Sequence, residues 1–425
     1  MTLSRHDVSS AGAQAPDRLR TAGRMIALIL PLLMILGPGP ADVGASLIAL
    51  LFLVHVVVDR DRVALQAWWF RLALVLWVFM LATAPFALAS VSEAFGRAAT
   101  FLRFPMLAAA LGFWLLTEPK WRDRYMAVLL AIVLFSAVWA LVEWYWVTRV
   151  VQSYSHPLRL TGPFDDRKVG IFLTKTMFPC LGFALAWAAA GSLRRLFPVG
   201  VGLLLVLLAI FLSGERSAFL LAGLGLLIMA LIVPVPAIRR FMRYGLLVAV
   251  LGAAAGYLAF PASFDRQVGS TLGTLSRLST TSYGLLWQSG VEVGELSPVV
   301  GAGGKNFRDV CPEIRSPNIK LQGADYSEYL EFCSTHPHNA YVEMFAEHGI
   351  IGLVIFLALI GGFVAACLPQ RMDPVAVGAG LGILLILWPA VPHGSFFNNW
   401  NGVVFWSLVG LMVSRVALPR PSRAG

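Results

Sequence analysis

Long apolar runs recur along almost the whole of this sequence, and they constrain the fold more than any other feature. Each run approaches the roughly 20 residues that an α-helix needs to cross a bilayer. Hydrophobic residues make up 58% of the 425 and charged residues only 13%, which a water-soluble chain could not bury. No segment alternates in the manner of a barrel strand, so we predict an all-α integral membrane protein.

The order of the runs predicts the organisation of the chain. We expect about twelve transmembrane helices, over residues 25–40, 41–58, 68–88, 98–117, 125–147, 169–190, 196–213, 217–235, 243–261, 349–368, 374–392 and 403–418. One long, more polar interval separates the ninth helix from the tenth. The predicted divisions are a tail, nine helices, a large loop domain, three helices and a second tail, over residues 1–24, 25–261, 262–345, 346–418 and 419–425.

The net charge of +10 follows the membrane topology. If the N-terminus is cytoplasmic, every loop on that side carries lysine or arginine, as do both tails, whereas the opposite loops 37–41 and 391–401 carry none. This is the positive-inside pattern, and it predicts both termini in the cytoplasm and the long loop outside. The basic charge is therefore expected to face membrane lipids, and a nucleic-acid partner is disfavoured.

The long loop carries two features with structural consequences. Cys311 and Cys333 both lie in it, where oxidising conditions permit a disulfide, and two free thiols are the alternative. The loop also contains a predicted amphipathic helix, with one apolar face formed by Tyr283, Leu286, Trp287 and Val291.

Two outer segments carry arginines that the topology does not require. Arg159 opens RLTGPFDDRKVG, which also contains Lys168, and Arg216 lies in the short turn LSGERS. The planar guanidinium fork suits a phosphate group. Contact with lipid headgroups is the alternative for Arg159, and a local contact with Glu215 is the alternative for Arg216.

Charged residues also lie within the predicted helices. Arg103 and Lys175 are one to two turns below the outer surface, where charges usually face a cavity or a partner. They are candidates for the entry of an anionic lipid-linked substrate, with snorkelling or a structural ion pair as alternatives. Arg71 and Glu143 lie nearer to helix ends and are expected to snorkel.

A pair of histidines, His336 and His338, precedes the tenth helix in STHPHNAYVEMFAEHGIIGL. A metal site would need further ligands, for which Asp325, Glu331 and His348 are the candidates, but no carboxylate has a convincing spacing. We therefore expect neither a metal nor a cofactor. A histidine beside outer arginines suits another chemistry, in which it takes a proton from a hydroxyl that attacks a lipid-linked pyrophosphate donor.

The segment HNAYVEMFAEHGIIG has a His-Asn pair, nine residues and then Gly-x-x-Gly. With the long outer loop before it, this arrangement resembles the O-antigen ligases, which share a superfamily with O-antigen polymerases and pilin-type O-oligosaccharyltransferases. The stretches RLTGPFD, LSGERSAFL and GAGGKNF are also similar to that superfamily, so the resemblance covers residues 150–365.

The resemblance implies a glycosyltransferase fold of class C type in the bacterial inner membrane. Such an enzyme would transfer O-antigen polysaccharide from undecaprenyl pyrophosphate to a sugar hydroxyl of lipid A-core on the periplasmic face, without ATP or metal. His338 would be the general base, and Arg159 and Arg216 would bind the pyrophosphate. Asn339 and His336 would support substrate binding, with Lys168 among the outer cations. Gly349 and Gly352 would allow close packing beneath the site.

Three other functions stay open at this point. An O-antigen polymerase would use a lipid-linked glycan as both donor and acceptor, and an oligosaccharyltransferase would modify a protein. The chain ends soon after its last predicted helix, which favours the ligase over the protein transferase. A polyprenyl-glycan transporter is the more distant alternative, since the polar residues concentrate on one membrane face and not at its midplane.

Overall fold

The computed structural model describes residues 7–151, 158–191, 193–233, 281–322 and 333–415, with isolated positions between 235 and 269. The described residues form helices joined by turns and loops, and none of them forms a strand. The prediction of an all-α protein is therefore confirmed for this part of the chain.

The α-helices of the described residues are numbered here in chain order. They are α1 (Asp7–Ile35), α2 (Pro38–Val58), α3 (Val63–Gln66), α4 (Trp68–Thr83), α5 (Val91–Phe101), α6 (Arg103–Ala109), α7 (Pro119–Tyr145), α8 (Val169–Ala189), α9 (Leu196–Leu212), α10 (Arg216–Ile232), α11 (Pro261–Phe264), α12 (Ser282–Leu296), α13 (Phe307–Gln322), α14 (Ala340–Cys367), α15 (Pro374–Ile386) and α16 (Asn399–Arg415). Turns of π-helix extend α6 over Ala110–Leu115 and α7 over Trp146–Val151.

Six helical stretches in the described residues are long and apolar enough to cross a bilayer, namely Pro38–Val58, Trp68–Phe86, Val91–Leu115, Pro119–Val151, Val169–Ala189 and Ala340–Gln370. The shorter helices α9, α10 and α15 are also apolar. The chain is thus a multi-pass membrane protein. The number of twelve spans stays a prediction, because the helix predicted over 243–261 lies mostly outside the described residues.

Several helix ends differ from the prediction. Helix α1 begins at Asp7, well before the predicted start, and α14 begins at Ala340, within the predicted loop domain. Helix α15 ends at Ile386 instead of residue 392. Two prolines in the following stretch, Pro389 and Pro392, cannot donate the backbone hydrogen bonds that would continue the helix.

Helix α8 lies at the centre of the bundle and packs closely against α15. A Cβ atom on Gly182 would lie 2.1 Å from the carbonyl oxygen of Pro374, and one on Gly378 would lie 2.3 Å from that of Phe178. Small residues allow such backbone contacts between helices in a membrane. The contact also reaches Lys175, whose carbonyl oxygen would be 2.6 Å from a Cβ on Gly382. The position of Lys175 is therefore set by backbone packing.

Helix α14 is interrupted at Gly349, where φ is +62° and ψ is −166°. The backbone groups freed by this interruption bond to the segment 298–303. The N–H groups of Ala302 and Gly303 donate to the carbonyls of Ala346 and Glu347 at 2.9 and 3.0 Å, and the N–H of Ile350 donates to Pro298 at 2.8 Å. The glycine-dense loop GAGGKNF thus completes a broken helix, which explains how irregular backbone is accommodated here.

The predicted helix in the long loop is present as α12, and Leu286 of its predicted apolar face is buried, but the rest of the buried face differs from the prediction. Tyr283 and Val291 are 39% and 40% exposed. The buried residues are Leu286, Ser289, Gly290, Val293 and Gly294. The two glycines let α12 approach α14 so closely that a Cβ on either would fall within 2.5 Å of a side chain of α14. This close approach outweighs burial of the bulkier face.

Replacing Gly349 should destabilise the protein. Its backbone conformation is accessible essentially only to glycine, at a cost of about 1–3 kcal/mol for another residue, and an added Cβ would lie 2.4 Å from the backbone of Val299. We expect Gly349→Ala to lower the melting temperature in detergent. Gly361→Ala is the matched control in the same helix, because a Cβ there meets nothing within 4 Å. Equal melting temperatures for the two variants would contradict this account.

Candidate functional site

The N-terminus of α14 organises one end of the described bundle. Its first four N–H groups have no acceptor within the helix, and all four find one outside it. The Ala340 N–H donates to Nε2 of His393 at 3.2 Å. Those of Tyr341 and Val342 donate to Oδ1 of Asn339 at 3.0 and 3.3 Å, and the next N–H donates to the Asn339 carbonyl at 2.8 Å. The helix terminus thereby holds the loop 387–398 against the segment HPHN.

Asn339 is predicted to orient substrate, and the structure shows its amide engaged by the backbone. Its side chain is buried, Oδ1 accepts the two hydrogen bonds from α14, and Nδ2 donates to the carbonyl of Pro389 at 2.9 Å. The Asn of the His-Asn pair therefore caps a helix and anchors the neighbouring loop. Substrate contact by Asn339 stays a prediction.

His338 is held in an uncommon backbone conformation, with φ at +54°. Its carbonyl accepts the N–H of His393 at 2.9 Å, and its ring lies 4.0 Å from that of His336 and 5.8 Å from that of Tyr283, between centroids. Burial is the main cause that lowers the pKa of His338 to about 4, with His336 adding to it. His338 is therefore neutral at physiological pH, in the form that accepts a proton.

His336 is also neutral, since burial, Arg97 and Arg308 lower its pKa to about 4. Its Nδ1 lies 3.0 Å from the hydroxyl of Thr335. Its Nε2 is buried with no hydrogen-bond partner among the described residues.

His393 is a site residue that the sequence-based prediction missed. The signal that could have found it is that it is the one titratable residue in the loop 391–401. Its Nε2 accepts the Ala340 N–H, so its Nδ1 carries the proton and donates to the Gly394 carbonyl at 3.2 Å. Burial lowers the pKa of His393 to about 4, and Lys175 adds to this effect. His393 is thus a neutral structural group that ties its loop to α14.

Two glutamates of α14, Glu343 and Glu347, lie within the family motif but were not predicted as part of the site. They are 2% and 1% exposed. Arg97 of α5 lies close enough to act electrostatically on both, and on His348. Its guanidinium is 5.5 Å from the ring centroid of Phe397. The signal that could have found these carboxylates is their presence in an otherwise apolar helix.

The two predicted arginines lie on neighbouring segments. Arg159 is exposed, and the N–H of the next residue, Leu160, donates to the Ser213 carbonyl at 3.1 Å, in the turn before α10. Arg216 is the first residue of α10 and is half-buried. The expectation that Glu143 snorkels is wrong, because its carboxylate accepts hydrogen bonds from the N–H groups of Thr161 and Gly162, at 3.0 and 2.6 Å.

Glu215 is buried between these arginines and α8. Its Oε2 accepts the N–H of Ile171 at 2.8 Å, in the first turn of α8. Burial raises the pKa of Glu215 to about 7, against the opposing effects of Arg159, the Ile171 N–H and Lys175. A carboxyl group that titrates near neutral pH therefore lies among the cations.

Lys175 is buried, and its Nζ donates to Oδ1 of Asn401 at 2.8 Å and lies 5.1 Å from the ring centroid of Trp400. It acts electrostatically on both Glu215 and His393, so it connects the arginine segments with the histidines. Lys175 thus has a polar partner, as charges at this depth usually do, and its contact with a lipid-linked substrate stays a prediction.

Arg103 and Lys168 lie in ion pairs. Arg103 Nε is 2.7 Å from Oδ1 of Asp42, and its Nη2 donates to Asn399 at 3.1 Å. This is the structural ion pair that was one alternative for Arg103. Lys168 Nζ lies 3.3 Å from Asp165 and 3.7 Å from Asp166. A contact of either residue with substrate stays a prediction.

Cys311 and Cys333 form a disulfide in the structure, which joins α13 to the segment that leads into His336 and His338. The described residues contain no group of three or more His, Cys, Asp or Glu side chains able to hold a metal ion. Two of the candidate metal ligands, Asp325 and Glu331, lie outside the described residues.

Part of the chain is similar in sequence to known proteins. Residues 201–357 match a family model described as O-antigen ligase. The match contains Arg216, His338 and both glutamates of α14, while Arg159 and Lys175 lie outside it. A curated relative, the exopolysaccharide production protein ExoQ of Rhizobium meliloti (strain 1021), is 30% identical over 148 residues, which are 32% of this chain and 31% of the relative. The match thus spans less than a third of that protein. The predicted resemblance to the O-antigen ligases is therefore confirmed over residues 201–357.

Proposed function

We propose that this protein transfers a glycan from a polyprenyl-pyrophosphate donor to an acceptor hydroxyl. The observation that carries the proposal is the placement of basic residues and a neutral histidine at one end of the bundle. Arg159 and Lys175 act electrostatically on Glu215, Arg216 follows it in the chain, and Lys175 also acts on His393 in the loop that bonds to His338. The family match supports polysaccharide processing of the ligase or polymerase type.

The chemistry follows from the charges. The acceptor oxygen attacks the anomeric carbon of the donor sugar and forms the new glycosidic bond, while the bond from that carbon to the pyrophosphate oxygen breaks. The hydroxyl proton passes to the imidazole of His338. Negative charge develops on the leaving pyrophosphate. The guanidinium groups of the arginines stabilise this charge through bidentate hydrogen bonds, without a metal. A single displacement of this kind inverts the configuration at the anomeric carbon.

For the substrates, we propose undecaprenyl-pyrophosphate-linked O-antigen as donor and the lipid A-core oligosaccharide as acceptor. The site would then face the periplasm from the inner membrane, with residues 262–345 as a periplasmic loop domain and both termini cytoplasmic, as the charge pattern predicts. The relative ExoQ is named for exopolysaccharide production. Our second candidate is therefore a polymerase, whose acceptor would be another lipid-linked glycan. Protein O-glycosylation remains the third.

The acceptor is tested with purified protein and lipid-linked glycan. Lipid A-core, a second lipid-linked unit and pilin are supplied in separate reactions, and the product is identified by mass. The proposal expects transfer to lipid A-core. Elongation of the lipid-linked unit in its place would establish the polymerase, and transfer to none of the three would reject the proposed function.

Arg216→Lys should lose most of the activity although the charge is kept, because an ammonium group cannot form the bidentate contact of a guanidinium. Arg159→Lys should behave in the same way. Arg167→Lys is the control, since Arg167 is exposed on the same outer segment as Arg159. Initial rates at saturating acceptor provide the measurement. Near-normal rates for both Arg216→Lys and Arg159→Lys would mean that these arginines contact only lipid headgroups.

His338→Ala should abolish transfer while donor binding and expression are retained. General-base assistance is worth about 10²–10⁴-fold, so a residual rate within tenfold of the wild type would be too high. His336→Ala should be much milder. Loss of activity in His336→Ala alone would mean that His336, and not His338, is the base. Loss of activity on addition of a chelator would reveal a metal.

Donor binding should weaken as pH rises from 6 to 8. Glu215 has its pKa raised to about 7, so it is mostly neutral below that pH and mostly ionised above it. The ionised carboxylate competes with an anionic donor for the same cations. Glu215→Gln should reduce the pH dependence of the donor KM in this range. A wild-type KM that is already flat between pH 6 and 8 would rule out this competition.

A further inference from the structure

Glu343 is an unusual group to find in the first turn of an apolar helix. It is 2% exposed, and both of its carboxylate oxygens accept hydrogen bonds from the loop 387–398. Oε1 accepts the Ser395 hydroxyl at 2.5 Å, and Oε2 accepts the Phe396 N–H at 2.9 Å. Arg97 supplies a compensating positive charge. Burial of a carboxylate is costly even with such partners, so its presence here calls for a reason beyond packing.

The loop 387–398, which donates hydrogen bonds to Glu343, also donates one to His338. Two residues before Ser395, the N–H of His393 donates to the His338 carbonyl at 2.9 Å, and the His393 ring accepts the Ala340 N–H at 3.2 Å. His338 is therefore tied to this loop through its own carbonyl and through the N–H of Ala340, two residues later, and it adopts a positive φ of 54° just before these bonds. That conformation is uncommon for a residue other than glycine. The direction of the imidazole ring thus depends on the loop that Glu343 anchors.

We propose that Glu343 is a positioning residue for His338, which fixes the loop 393–396 behind the base and places a negative charge toward the imidazolium that forms during transfer. The inference rests on the proposed function, in which His338 takes the proton of the acceptor hydroxyl. Glu343 itself touches neither substrate nor the reacting atoms. The proton stays on His338 and is released to solvent after the product leaves.

The charges around His338 support this role. Burial and His336 lower the pKa of His338, whereas the carboxylate of Glu343 and the backbone of His393 act in the opposite direction. From α12, the phenol of Tyr283 faces the same ring at 5.8 Å. The imidazolium formed at this partly buried position needs an anion that is already oriented. Such preorganised charge is effective in catalysis because it does not reorganise during the reaction.

Glu347 provides a matched control for the charge of Glu343. It lies one turn further along α14, is equally buried and is also close to Arg97. Its carboxylate faces the backbone of Lys305 and Phe307, in the glycine-dense loop, and not the loop 393–396. Glu347→Gln therefore removes the same charge from the same helix without touching the ties of His338.

The test measures kcat, donor KM and their pH dependence for Glu343→Gln, Ser395→Ala and Glu347→Gln in full-length protein. Glu343→Gln should lower kcat by about 10- to 100-fold, a part of the ~10²–10⁴-fold that a general base contributes, with donor KM changed by less than about threefold. Its acid limb should move to lower pH, since His338 loses the anion that favours its protonation. Ser395→Ala keeps the charge, so it should lower kcat by about 3- to 10-fold and leave the acid limb in place.

Two results would overturn the inference. One is a Glu343→Gln enzyme with wild-type kcat and pH profile, and the other is an equal loss of kcat in Glu347→Gln. If Glu343→Gln does not fold, Ser395→Ala decides, and a wild-type kcat in that variant refutes the positioning role. His338→Ala is assayed in parallel. Full activity in His338→Ala rejects the proposed function, whereas an inactive His338→Ala with an unaffected Glu343→Gln rejects only the role of Glu343.

Discussion

The hydrogen bonds at the N-terminus of α14 are the interaction on which the end of the described bundle around His338 depends. Four backbone N–H groups there require acceptors, and Asn339 and His393 supply them. To do so, the HPHN segment and the loop 387–398 must meet at one point, and this brings His338 next to the loop that contains His393. Beneath them, the backbone contact of α8 with α15 sets the depth of Lys175. The positions of the basic residues and of the histidines therefore depend on the same set of packed helices and loops.

Much of the fold could be predicted from sequence, because transmembrane hydrophobicity is a local property. The bounds of α8 and α9 agree closely with their apolar runs. The His-Asn pair and its Gly-x-x-Gly also indicate the family without any knowledge of the fold, as the match over 201–357 confirms. For Cys311 and Cys333, a shared compartment suggested a bridge, and the structure contains it.

The features that sequence could not supply depend on contacts between distant residues. The partner of Arg103 is Asp42, on another helix, and the acceptor for Ala340 is His393, on another loop. Helical periodicity pointed to the bulky face of α12, whereas two glycines permit a closer approach on a different face. At Gly349, the sequence suggested only close packing. The interruption of the helix there depends on pairing with the segment 298–303, which is distant in sequence.

The neutrality of His336, His338 and His393 has a consequence for the stability of the structure around the N-terminus of α14. Burial lowers the pKa of His336, His338 and His393 to about 4, while an unfolded histidine takes up a proton near pH 6.5. Between these values the unfolded chain binds more protons, so stability falls with falling pH, by about 1.4 kcal/mol per unit for each histidine. Protonated His393 can no longer accept the Ala340 N–H. Acid would thus weaken the contact between the loop 387–398 and the N-terminus of α14, while the apolar interior of the bundle remained intact.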